Sequence, residues 1–443
     1  MASSILFYWI IDATDRFSGS ETLLGIAIFI IICLYYSIYP IIFSLLYSLI
    51  LKNKKTISSS VVRTVFIAAF LWIILEWVKM NVLLGIPWVK DTLSISQLRT
   101  LNGIQLASIT GPWGISFVIV AVNQLFALAI KQTKLKYGIY AIAIVALFYI
   151  SGFVIFTLFD SNWSKEIKVA IIQENIKAET RWNEETGDRL AQQLFDLNRK
   201  AASHNPNLIV WSETSIPWTY STDDDLINMA LDITKESKAE HIIGIFSKAE
   251  TDTLNIYNSA YLINAEGVAV SRYDKVTLLS FLETPFLSKS LIVPFLSQSV
   301  YTKIIAGSNY HPLEGRFGNM GVLICNESLT PYETKKMLKR GANILITLSN
   351  DAWVENTHLN DWHFYACRSR AVESGKDIVI NSNRGIGGVI LGNGVIQVQN
   401  LSQYPACTTG SAKIRENSTL YYKFGDWYIY LSVFLFLILI IKK

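Results

Sequence analysis

Three stretches, far apart in the chain, each close a strand-like run on a group that can serve acyl chemistry. Gly321-Val-Leu-Ile-Cys-Asn-Glu327 carries a thiol, Cys325. Leu208-Ile-Val-Trp-Ser-Glu213 ends in a carboxylate. Val270-Ser-Arg-Tyr-Asp-Lys275 ends in an amine and runs on through Val276-Thr-Leu-Leu-Ser-Phe-Leu-Glu283 to a second carboxylate. Continuous apolar runs read as strands buried on both faces, and α/β sheets carry their chemistry at the carboxyl ends of strands. A carboxylate there can take the thiol proton. An ammonium can favour the thiolate and stabilise a tetrahedral oxyanion. Singly, each residue has a plainer use, since a lone cysteine is usually a small core residue and Glu213 with Lys275 could be a strand-end ion pair. Only their convergence would make a site.

The elements that would have to position them lie between residues 165 and 426, where short apolar runs alternate with polar, helix-capable segments. Strands are expected at 168–173, 208–213, 241–246, 258–263, 268–275, 321–325, 344–349, 377–381 and 388–391. Helices are expected at 184–204, 223–237, 330–340 and 361–374, the first with Leu190, Leu194 and Leu197 as a packing stripe. Such alternation argues an α/β domain, and about 260 residues are enough to bury a core as one unit.

The rest of the chain reads as membrane. Of 443 residues, 51% are hydrophobic and 17% charged, which suits a membrane protein with a sizeable soluble part. The net charge of +4 is too weak to suggest nucleic-acid binding. Cys33, Cys325, Cys367 and Cys407 form no CxxC, and the five histidines show no ligand spacing, so neither a disulfide framework, a metal site nor a cofactor is expected. Spans are expected at 22–51, 60–84, 110–130, 137–158 and 427–441. The first could kink near Pro40, and Glu76 and Lys79 of the second would sit at an interface. Basic clusters at Lys52–Lys55, Lys131–Lys136 and Lys442–Lys443 fall on one side of this zigzag. The positive-inside rule then turns 85–109 and 160–426 outward and leaves the amino terminus outside. Three parts follow: a helical bundle over 1–159, a catalytic domain over 160–425 and a last membrane helix over 426–443.

The order Glu213, Lys275, Cys325 resembles the nitrilase, or carbon–nitrogen hydrolase, superfamily. The membrane segments narrow the resemblance to apolipoprotein N-acyltransferases: Glu76-Trp-Val-Lys-Met-Asn-Val-Leu-Leu-Gly-Ile-Pro-Trp88, Ser94-Ile-Ser-Gln97 and Gly111-Pro-Trp-Gly-Ile-Ser116 with Asn123. Further likenesses are Gln173-Glu-Asn-Ile176, Ser349-Asn-Asp-Ala-Trp353, His363 with Arg368-Ser-Arg-Ala-Val-Glu373, Asn383-Arg-Gly385 and Tyr421-Tyr-Lys-Phe-Gly-Asp-Trp427. The resemblance implies a nitrilase-like αββα sandwich on a bundle of transmembrane helices. It implies an enzyme that moves an acyl chain from a phospholipid, through a cysteine thioester, to the amino-terminal cysteine of a diacylated lipoprotein. Glu213 would be the general base, Lys275 the oxyanion-stabilising lysine, Cys325 the nucleophile and Glu283 an additional acid orienting the lysine. Trp182, Trp353 and Asn350 would meet substrate. The apolar stretch after Glu283, including Phe286 and Phe295, is expected to be a mobile arm that admits lipid tails. The enzyme would act as a monomer at the outer, periplasmic face of a bacterial inner membrane.

Departures from the family pattern are Asn326 for the usual Tyr after the cysteine, Ser280 and Leu282 in the lysine motif, and Ser212 for the usual Pro before the acid. Five spans stand where the family usually has eight, so the chain is expected to be either short or incomplete at its start. Two other readings use the same residues. One is a membrane-tethered amide hydrolase, and the other is an inactive binding or scaffold paralogue.

Overall fold

The computed structural model describes residues 2–18, 22–52, 60–82, 91–159, 162–250, 255–279, 283, 303–355, 357–401 and 403–441. A first sheet takes β1 (Lys165–Gln173), β2 (Leu208–Val210), β3 (Ile216–Thr219), β4 (Glu240–Lys248), β5 (Asn255–Ile263), β6 (Ala269–Asp274) and the short β7 (Lys303–Ile304). A second takes β8 (Leu313–Gly315), β9 (Gly318–Ile324), β10 (Ile344–Asn350), β11 (Ile378–Asn383), β12 (Gly387–Ile390) and β13 (Ile396–Asn400), in the order β13-β12-β11-β10-β9-β8. The last strand, β14 (Ala406–Ile414), returns to the first sheet, whose order is β14-β1-β2-β4-β5-β6, with β3 beside β4 and β7 beside β5. The central strands β1, β2 and β4, and likewise β9, β10 and β11, run parallel. Each sheet therefore gathers its carboxyl ends along one edge.

The apolar runs are continuous because both faces of these strands are covered. Val169, Ile171, Leu208, Val210 and Ile242 of the first sheet meet Met320, Val322, Ile324, Ile344, Ile346 and Leu348 of the second in one core. The alternate residues Ala170, Ile172, Ile209 and Ile243 pack with Leu194, Leu197 and Ile227 of the helices Gly187–Ala202 and Asp225–Thr234. On the far side, Leu345, Ile378 and Ile380 pack with Phe364, Cys367 and Ala371 of the helix His358–Ser374. The result is helix, sheet, sheet, helix, the expected nitrilase-like sandwich. Each fully buried aliphatic side chain contributes about 1.5–3 kcal/mol.

Among the described residues, four helices are long and apolar enough to cross a membrane: Thr22–Lys52, Val61–Asn81, Pro112–Gln132 and Leu135–Thr157. The first runs unbroken through Pro40. The fifth expected span is a helix of 15 residues, Trp427–Ile441. That is about 22 Å, shorter than a bilayer's ~30 Å hydrocarbon core. Glu76 and Lys79 are buried within the protein packing. Lys79 Nζ pairs with Asp91 at 3.0 Å, while Glu76 Oε1 accepts the Trp72 indole and the Leu93 amide, each at 2.8 Å. Buried charge persists when it is paired in this way. Two further helices, Ala2–Phe7 and Trp9–Ser18, fold back so that Phe7, Trp9 and Ile10 join Leu279, Leu329 and Val354 in one buried cluster.

Candidate active site

β9 ends at Ile324, and the chain turns sharply at Cys325, whose φ is +53°. A left-handed conformation costs a residue with a Cβ about 1–2 kcal/mol and persists only where its surroundings over-determine it. Glu327 supplies that constraint. Its Oε1 accepts the Tyr273 hydroxyl at 2.8 Å and the amides of Val276 and Thr277 at 2.9 and 3.0 Å; its Oε2 accepts the Ile324 amide at 2.9 Å. Asn326 Nδ2 donates to the Thr277 carbonyl at 2.9 Å, and Ser328 Oγ to that of Cys325 at 2.8 Å. The cysteine turn is thereby fastened to the segment that follows Lys275. Asn175, Thr214 and Arg384 also have positive φ. They follow β1, β2 and β11, so backbone strain gathers along one edge of the sandwich.

Lys275 is 1% exposed. Its Nζ lies 2.9 Å from Glu283 Oε2 and 3.7 Å from Glu213 Oε1. Asn258 Nδ2 bridges the two acids, 2.8 Å from Glu213 Oε1 and 3.2 Å from Glu283 Oε1. The Asn350 amide donates to Glu213 Oε2 at 2.9 Å, and the Leu279 amide to Glu283 Oε2 at 2.6 Å. Burial alone would discharge the lysine, but Glu283, then Cys325 and Glu213, hold its pKa above the ordinary value. Burial pushes Glu213 up; Lys275 opposes this and Glu283 adds to it. Burial, then the Glu213 charge, pushes the Cys325 thiol well up, with Lys275 opposing. These directions favour a neutral thiol at Cys325 and a charged ammonium at Lys275, and make Glu213 more basic than an exposed carboxylate. This arrangement can transfer a proton from sulfur to Glu213 and steady an oxyanion at Lys275.

The structure brings Glu213, Lys275, Glu283 and the Cys325 turn together. Asn350 joins them through its backbone, while its side-chain oxygen accepts from Asn383 Nδ2 at 2.9 Å. Trp353 is half-buried, its ring 6.2 Å from that of Trp9. Trp182, also half-buried, meets Trp218 edge-on at 5.3 Å. Phe286 and Phe295 lie outside the described residues, as do Ser280 and Leu282. His363 Nδ1 and Ser349 Oγ each lie 2.8 Å from Asp351 Oδ1 behind the site.

Sequence reasoning left Glu327, Asn258 and Glu174 without roles. Only its place two residues after the cysteine could have singled out Glu327. Glu174, 2% exposed, accepts the Ser212 hydroxyl at 2.6 Å. The serine that departs from the family pattern is thus tied down beside Glu213. Burial pushes Glu174 from 4.5 up to about 7, with Ser212 opposing. The folded value exceeds the unfolded one, so the folded chain holds a proton that the unfolded chain has released. That share of stability is full below about pH 4.5 and is lost as pH rises through about 7. A Glu174→Gln variant, which cannot ionise, should gain thermal midpoint relative to wild type between about pH 5 and about pH 8. A difference that stays constant across that range would refute this.

Residues 168–402 match the model for carbon-nitrogen hydrolase, and residues 1–125 match that for the apolipoprotein N-acyltransferase N-terminal domain. Relatives named apolipoprotein N-acyltransferase include one from Geobacter metallireducens, 24% identical over 437 residues, covering 97% of this chain and 82% of that protein. Another, from Wigglesworthia glossinidia brevipalpis, is 27% identical over 402 residues, covering 88% and 76%. A solved carbon-nitrogen hydrolase from Helicobacter pylori G27 is 16% identical at a TM-score of 0.43, covering 56% of this chain and 90% of that one. With one family model matching more than half its length and the other its membrane end, the chain belongs to the carbon–nitrogen hydrolase family, in its apolipoprotein N-acyltransferase branch.

Proposed function

We propose that this protein transfers an acyl chain from a phospholipid to the amino-terminal cysteine of a diacylated lipoprotein, with Cys325 as the carrier. The observation that carries the reading is the buried cluster of Glu213, Lys275 and Glu283 at the Cys325 turn, in a chain that also carries membrane-length helices. The names of the relatives support the substrate class. Placement supports it too: Leu279, four residues after Lys275, and Leu329, four after Cys325, share an apolar cluster with Phe7, Trp9 and Ile32. That packing supports a reactive edge turned toward the membrane part.

In the first half-reaction, Glu213 takes the Cys325 proton as sulfur attacks the donor's ester carbonyl. Lys275 steadies the oxyanion. The carbon–oxygen bond then breaks, and the leaving lysophospholipid oxygen takes the proton from Glu213, leaving a thioester. In the second, the acceptor's α-amine attacks the thioester and yields a proton through Glu213 to the departing sulfur, leaving an amide and a free thiol. Two sequential transfers through one sulfur imply ping-pong kinetics. Both substrates are held in the same bilayer, which raises their effective concentration at the site. We place the catalytic domain at the periplasmic face of a bacterial inner membrane, which the basic clusters favour.

The test supplies phospholipid vesicles and a diacylated cysteine peptide and follows both by mass spectrometry. N-acyl peptide with matching lysophospholipid is the expected result. Free fatty acid without acylated peptide would replace this reading with a hydrolase, and no turnover of either lipid or peptide would overturn it.

A further inference from the structure

One carboxylate outside the site gathers donors from four parts of the chain. Asp426 precedes the helix Trp427–Ile441. Its Oδ1 lies 3.0 Å from the Trp113 indole nitrogen and 3.1 Å from the Tyr421 hydroxyl, and its Oδ2 lies 3.3 Å from the Trp77 indole nitrogen. Lys335 Nζ is 3.2 Å from both oxygens. Trp77 belongs to the helix Val61–Val82 and Trp113 opens the helix Pro112–Gln132. Lys335 sits on Pro331–Lys339, which begins six residues after Cys325. The surroundings fit these contacts closely. Tyr421 is 1% exposed, and a Cβ on Gly111, whose φ is +66°, would stand 2.4 Å from its ring. The Trp427 indole also donates to the Ile109 carbonyl at 2.8 Å.

The chemistry requires an acid here. Indole and ammonium groups only donate, and an ionised carboxylate only accepts, with about four lone-pair sites. An amide would offer one oxygen and turn its own N–H groups toward the remaining donors. We infer that Asp426 fixes the cysteine turn at a set height on the membrane bundle, through Lys335 and the helix Pro331–Lys339, and is a positioning residue for attack on a bilayer-held acyl donor. It touches no reacting atom. The inference rests on the phospholipid-donor reading above.

The test compares wild type, Asp426→Asn, Lys335→Met and the double variant, each reconstituted in phospholipid vesicles, with two donors. One is the vesicle phospholipid, followed as N-acyl peptide. The other is a short, water-soluble p-nitrophenyl ester, which acylates Cys325 and releases p-nitrophenolate without needing any height above a bilayer. Asp426→Asn should lose roughly 10–100-fold in kcat/KM on phospholipid while ester cleavage stays within about twofold. The double variant should be no worse than the worse single one, because both remove one contact. Equal loss on both donors would reduce Asp426 to a folding role, and equal activity of Asp426→Asn and wild type on vesicles would overturn the inference alone. A wild type that cleaves the ester but never draws on vesicle phospholipid would overturn the donor reading and this inference with it.

Discussion

Cys325→Ser should abolish transfer, with at least about a thousandfold loss in turnover and no acyl adduct on the intact protein. The two side chains differ by one atom, so packing at this position, 5% exposed, is nearly unchanged. The chemistry is not. A serine hydroxyl is a far weaker acid than a thiol, and the site already opposes ionisation by burial and by the Glu213 charge. An ester formed on serine would also react more slowly with an amine than a thioester does. The measurement is intact mass after incubation with phospholipid. Wild type should gain one acyl-sized increment that disappears when diacylated cysteine peptide is added; Cys325→Ser should gain none. An increment that survives the substitution would place the nucleophile elsewhere. Cys367, packed against the outer face of the second sheet, would be the next thiol to examine.

Lys275→Met should be the most damaging change outside the sulfur, because it acts on rate and stability together. Methionine keeps most of the volume but removes the charge that two buried carboxylates share, at 2.9 Å from Glu283 and 3.7 Å from Glu213. Removing one partner from a buried ionic cluster costs about 3–5 kcal/mol, since the remaining charge is left uncompensated. The two acids would respond by taking up a proton between them. On the mechanism proposed above, that would cost Glu213 its role as base, and the oxyanion would lose its stabilising ammonium, worth a further factor of about 10²–10³. Single-turnover acylation and a thermal shift in the same detergent measure both effects. The pair of variants Lys275→Met and Lys275→Met with Glu283→Gln separates them. Neutralising Glu283 should restore part of the stability and none of the rate. A double variant as unstable as the single one would show that the ion cluster does not hold this region together.

The sandwich, and the residues that meet at its edge, could be read from the chain for one physical reason. Parallel strands covered on both faces must be apolar throughout, so their ends are conspicuous where Glu213 and Cys325 interrupt the pattern. The same logic made the edge strands hard to see. β14, Ala-Cys-Thr-Thr-Gly-Ser-Ala-Lys-Ile, has only two of its nine residues buried and shows no apolar run. β8 and β13 are short or half-exposed. The supporting residues were hidden for another reason. Glu327 and Glu174 act through backbone amides and hydroxyls that only the folded turns bring near them, and no spacing along the chain marks such partners. The burial of Glu76 and Lys79 was missed similarly, because Asp91, which pairs with the lysine, lies beyond the end of their own helix.

The pairing of β1 with β14 has a consequence for how the molecule is made. The two strands join along their full lengths, from Lys165 opposite Ile414 to Gln173 opposite Ala406. The first strand to leave the ribosome therefore waits for the last before its outer edge is covered. Until then it offers open N–H and C=O groups to any neighbouring chain, and contacts this remote in sequence are slow to close. The sandwich is thus completed only once the chain has been made through β14, and the nascent protein is most vulnerable to mispairing during that interval.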